Sequence, residues 1–72
     1  MTVDAAALDA GILAAHEAGN KPALVDLYLT AAEGADGPAA PFFLTQAWVF
    51  ALDTGDARAV GIEARLKQIG CA

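Results

Sequence analysis

Cysteine is all but missing from this chain: Cys71 stands alone among 72 residues, so no intramolecular disulfide can form. No Cys or His residues stand at the spacing of a structural zinc site, and the residues imply no metal and no cofactor. Positive charge is scarce too, with Lys21, Arg58, Arg65 and Lys67 set against nine Asp and Glu for a net charge of −5. Nucleic acid and anionic membrane both reward clustered basic side chains, so neither is expected as a partner. The central apolar run is interrupted by Thr45 and Gln46 and falls well short of the roughly 20 residues that cross a bilayer. The opening Met1, Thr2, Val3 and Asp4 form no basic n-region, so no secretory signal is expected and the expected compartment is the cytoplasm.

These absences bear on stability. A chain this short makes one domain over residues 1–72 and removes only about 60% of its unfolded surface from water. With no disulfide and no metal to staple it, association with another polypeptide is the remaining route by which small scaffolds are stabilised. The charge is also unevenly spread, with −7 over residues 1–56 and +2 over residues 57–72. Cations near the end of a last helix complement its dipole; a basic last helix could equally dock on an acidic surface.

What the chain does have is a greasy middle and abundant alanine. Pro41 to Leu52 holds all three Phe and the only Trp. As a helix it carries apolar side chains on nearly every side, which predicts a central rod wrapped by the rest of the chain. Alanine makes up about a quarter of the residues and is the best helix former. No Val, Ile or Thr run alternates with polar residues as a strand would.

Glycine and proline divide the sequence into four helical segments. Asp4 can cap a first helix over about 4–18, with Leu8, Ile12 and Ala15 on one stripe and Gly19 and Asn20 as the stop. Asn20 caps the second, in which Pro22 suits the first turn and Gly34 is expected as the C-cap. After a loop at 34–38, Pro38 and Pro41 both fit the unbonded first turn of a third helix that Thr54 and Gly55 close. Asp56 caps a fourth, whose Ala59, Ile62, Leu66 and Ile69 form a stripe ending at Gly70. Two-residue joints force antiparallel neighbours. The expected fold is all-α, four helices as two antiparallel hairpins, about 4–33 and 39–70.

A shift of 36 residues superposes the hairpins, pairing Leu8 with Leu44, Ile12 with Trp48, Ala15 with Ala51, Gly19 with Gly55, Asn20 with Asp56, Ala23 with Ala59 and Leu24 with Val60. Such pairing of core positions, turn and cap is the pattern of a duplicated unit. Residues 15–24 and 51–60 resemble the mid-repeat turn of a tetratricopeptide repeat, a Gly followed by a polar cap, and Tyr28 and Ala31 stand where that family keeps an aromatic and an alanine. The second unit departs from the pattern, with Ala64 and Lys67 at the matching places, and the period is two residues longer than usual. The resemblance implies a right-handed helical stack or a four-helix bundle, and peptide binding along a concave face lined by the first helix of each repeat. Two repeats leave apolar faces that a third would cover, so a homodimer is expected.

On a helical wheel Thr45, Gln46 and Asp53 share one arc with Phe42 and Val49, while Asp9, Leu13 and His16 align on the first helix. The face implied by the resemblance contains these same residues, which makes Asp9, Leu13, His16, Phe42, Thr45, Gln46 and Val49 the candidate protein-binding residues. An apolar groove with an acidic and amide rim suits an amphipathic helix or extended peptide, preferably a positively charged one. The competing reading places Phe42 and Val49 in the core, facing helix 1 or a dimer mate. Gly11 and Gly61, inside helices, are expected to mark close backbone approach, since glycine there costs about 1 kcal/mol relative to alanine.

Catalysis is not expected. Cys71 has no rigid base partner, capping already accounts for Asp56 beside Asp53, and no phosphate-binding glycine loop follows a strand. An enzyme built on Asp9 and His16 would lack supporting polar groups. The expected function is a small protein-interaction module that binds a peptide or helix and self-associates. The alternative is a non-catalytic accessory or regulatory subunit of a larger enzyme complex.

Overall fold

The computed structural model describes residues 5–70. It is all-α: α1 (Ala5–Ala18), α2 (Lys21–Gly34), α3 (Ala39–Thr54) and α4 (Arg58–Gln68), with no strand among the described residues. Helices pack in chain order, α1 on α2, α2 most extensively on α3, and α3 on α4.

The two joints are built alike. Gly19 (φ 66°) and Gly55 (φ 68°) both take the left-handed conformation that glycine adopts without penalty. The next residue then reaches back five positions, Asn20 N–H to the Ala15 carbonyl at 2.9 Å and Asp56 N–H to the Ala51 carbonyl at 2.8 Å, so both helix ends recover lost hydrogen bonds in the same way. After the first joint Asn20 caps α2, its Oδ1 accepting from the Ala23 N–H at 3.3 Å. The second joint differs from expectation. The cap position of α4 falls to Ala57, and Asp56, two residues ahead of the helix, accepts the Arg58 N–H at 2.9 Å. Gly34 is not a left-handed cap: it is the last residue of α2, Ala35 follows in extended conformation, and the positive φ of this loop belongs to Gly37. The cap expected at Asp4, like Cys71, lies outside the described residues.

The core is one cluster shared by three helices: Val25 and Ala32 of α2, Leu44, Ala47 and Ala51 of α3, and Ala59, Ile62 and Leu66 of α4. Ala15, Leu24 and Ala31 are buried as well. The Cα atoms span 29 × 27 × 18 Å. At 8–10 Å between axes, the thin dimension of 18 Å does not hold three helix layers.

That thinness overturns the picture of a wrapped rod. α3 buries only Leu44, Ala47 and Ala51, leaves Phe43, Trp48 and Phe50 half-buried, and exposes Phe42, Val49 and Leu52, because no helix among the described residues lies over its outer side. The duplication also ends early. In the 36-residue register the buried Leu24 matches Val60, which is 73% exposed, and the exposed Asp26 and Thr30 match the buried Ile62 and Leu66. α4 therefore turns a different face to its neighbour than α2 does, and its stripe stops short of Ile69, which is exposed beyond the helix end. Of the two helical glycines, Gly11 behaves as expected, since a Cβ there would lie 3.3 Å from the Leu27 side chain, but Gly61 faces open space.

Candidate protein-binding surface

Phe42, Gln46, Val49 and Asp53 follow the outward strip of α3 at spacings of four, three and four, as one face of a helix requires. Phe42 is 57% exposed and Val49 46%, so neither belongs to the core of this chain, and Leu52 at 55% extends the patch along one side. The strip is almost neutral. Asp53 is held by Lys21 across the α2–α3 ends, and the Thr45 hydroxyl donates to the Pro41 carbonyl at 2.8 Å. The Gln46 amide, half-buried, remains as its polar element.

The α1 residues go elsewhere. Leu13 is 61% exposed. His16 leans over the joint, its Nε2 3.1 Å from the Tyr28 hydroxyl and its ring edge-on to Phe50 with centroids 5.5 Å apart. Tyr28 in turn stacks on Phe50 at 5.9 Å and lies 6.2 Å from Phe43. Asp9 lines a cleft with Leu8, Ile12 and Phe43. α1 thus meets the side of α3 that carries Phe43 and Phe50, about a quarter turn from Phe42 and Val49 at 100° per residue. The seven candidate residues fall into two neighbouring groups rather than one continuous face.

Ion pairs tie the helix ends together. Arg58 binds Asp56 through Nη2 at 2.7 Å and also pairs with Asp26 of α2, while Lys67 lies 3.8 Å from Glu63 one turn back. Arg58 holds the Asp56 carboxyl below the usual carboxylate range, first through hydrogen bonds from its guanidinium and then through its backbone N–H, and the Asp56 and Asp26 carboxylates push Arg58 up. Asp9, Glu17, Glu33 and Asp36 make no ion pair with any described residue, and Arg65 is the one cation among them in the same position.

The half-buried aromatic set Tyr28, Phe43 and Phe50 is absent from the candidate residues, although the seven-residue spacing of Phe43 and Phe50 places both on one stripe of α3. Among the described residues, no three His, Cys, Asp or Glu side chains are grouped so as to hold a metal ion, and no helix is long and apolar enough to cross a membrane. Compared with known proteins, the chain matches no protein-family model, and no curated protein or solved structure matches it.

Proposed function

We propose that this chain is a non-catalytic protein-interaction module of the cytoplasm that binds a helix or peptide of a partner and pairs with a second copy of itself through the outer strip of α3. The observation that carries this reading is the uncharged apolar run Phe42, Val49 and Leu52 left open on the most hydrophobic helix of the chain. The resemblance of its joints to tetratricopeptide turns supports the same reading.

The magnitudes set the expected strength. Full burial of such a side chain is worth about 1.5–3 kcal/mol, so half-exposed ones gain roughly 1 kcal/mol each on association. Two copies together gain roughly 6 kcal/mol, against an association cost of about 4 kcal/mol or more. Self-pairing is therefore weak and concentration-dependent. Sedimentation equilibrium over a concentration series should show monomer in exchange with dimer, and Val49→Asp should shift it to monomer with the helical circular dichroism unchanged. A monomer at every concentration refutes the self-pairing, and loss of helicity in Val49→Asp would make Val49 a folding residue instead. A wild-type chain that aggregates or unfolds when purified alone favours an accessory subunit missing its larger partner.

A further inference from the structure

Between α1, the C-terminal turn of α2 and the start of α3 the surface opens into a cleft of about 250 Å³. Leu8, Ile12 and Phe43 supply its large apolar side chains, and the buried Ala31 and half-buried Ala35 are small enough to leave it hollow. Its volume is below the roughly 300–1,000 Å³ of sites that enclose a small-molecule ligand, and suits one long side chain.

The polar groups around it share one sign. Asp9 lines the cleft and has no ion-pair partner among the described residues, whereas the Thr30 hydroxyl is taken up by the Asp26 carbonyl at 3.0 Å. Gly34, also in the lining, is the last residue of α2, so the negative end of that helix opens here, and no basic residue occupies its last turn. Glu33 and Asp36, on either side of the lining residues Gly34 and Ala35, are exposed and unpaired among the described residues. An apolar hollow with an uncompensated negative margin complements a cation carried next to a hydrophobic side chain.

We infer that this cleft anchors a basic amphipathic segment of another protein, which inserts one long apolar side chain against Leu8, Ile12 and Phe43 and lays a Lys or Arg over Asp9 and the C-terminal end of α2. The inference rests on the reading of the chain as an interaction module but uses a surface separate from the Phe42–Val49 strip.

The test uses the whole chain and a fluorescein-labelled, alanine-based helical peptide with one leucine and, one turn on, two lysines, titrated by fluorescence anisotropy. Replacing the peptide leucine by alanine should weaken binding about tenfold. Replacing its lysines by glutamate should abolish binding, and added salt should weaken the parent peptide. In the protein, Ala35→Leu fills the cleft from an extended position (φ −96°, ψ 150°) that accepts any side chain, and Asp9→Lys reverses the charge at an exposed site. Each should weaken the peptide about tenfold without changing the sedimentation of the protein. Should Ala35→Leu lose helicity, Asp9→Lys decides alone. Binding indifferent to the peptide leucine, or to both protein variants, overturns the inference. A change of oligomeric state in Ala35→Leu overturns it in favour of a second copy in the cleft. Binding lost only in Val49→Asp also overturns it and moves the peptide to α3. A dimer sensitive to Val49→Asp with no peptide binding sinks the cleft alone, and a monomer that binds nothing sinks both readings.

Discussion

Arg58 closes on Asp56, two residues before it, with backbone and side chain together: its N–H reaches Oδ1 at 2.9 Å, Nε lies 3.1 Å from each carboxylate oxygen and Nη2 is 2.7 Å from Oδ2. The free arm of the guanidinium pairs with Asp26 on α2. A cation in the first turn of α4 opposes the helix dipole, and the carboxylate immediately ahead of it offsets that effect. One side chain thereby fixes the second joint and ties α4 to α2.

The pH dependence follows from the direction of the shift. The Asp56 carboxyl is depressed in the folded protein, first by the Arg58 side-chain hydrogen bond, so folding is favoured above the unfolded value near pH 4. That contribution is lost as pH falls through the folded value, whereas Arg58 stays charged throughout. Thermal melts of Asp56→Asn and the native chain should differ by a constant amount above about pH 5 and converge in more acid solution. Parallel curves down to low pH would show that the carboxylate is not what the clasp stabilises.

The two helical glycines separate propensity from packing. Gly61 is exposed, helical and open on its Cβ side, so Gly61→Ala should stabilise the domain by about 1 kcal/mol and raise Tm by about 4–8 °C. Gly11→Ala gains the same propensity but sets a methyl group 3.3 Å from a Leu27 carbon, and should show a smaller gain or a loss. Equal gains at both positions would mean that Leu27 yields freely.

Local signals were the legible part. The joints at Gly19 and Gly55, the Asn20 cap and the four helix spans follow from residues that act on their immediate neighbours. What depends on how many helices surround a given one was not legible. The all-round apolar pattern of α3 reads the same whether three neighbours cover it or two, and Phe42 and Val49 are exposed because no helix among the described residues lies over them. A cleft formed where Ala31 and Ala35 are small leaves no pattern in sequence, since it arises from three elements meeting at one point. Of the candidate residues only Asp9 lies in it, and its acidic margin was visible only as an excess of charge.

Trp48 sits half-buried against the core with its indole N–H shielded from solvent and without an acceptor among the described residues. An orphaned buried donor costs about 1–3 kcal/mol. Trp48→Phe removes that donor while giving up part of the ring, so the two effects oppose each other and the net change should stay within about 1 kcal/mol by urea denaturation, well below the 3–5 kcal/mol typical of Trp→Ala. The native chain should also emit at shorter wavelength than free tryptophan in water. A loss in Trp48→Phe as large as a full truncation would require a hydrogen bond to that indole.

The repeat register and the fold make opposite demands on Leu24 and Val60. Leu24 and Val60 are equivalent positions of a 36-residue duplication, and a faithful duplication would make them equally important. Leu24 is 2% exposed and Val60 73%. Truncating a buried leucine costs about 2–5 kcal/mol through lost burial and the cavity left behind. A domain of this length has only about 4–10 kcal/mol in total, so Leu24→Ala should unfold a large part of the population or lower its melting temperature steeply. Val60→Ala has no cavity to make and should stay within about 0.5 kcal/mol. Leu66→Ala should resemble Leu24→Ala, because Leu66 is 1% exposed in the cluster that joins α4 to α2 and α3. Urea denaturation of the three variants separates the possibilities. Comparable losses at Leu24 and Val60, with Leu66 tolerant, would turn α4 back to the orientation that the duplication implies and would remove the core that α2, α3 and α4 share.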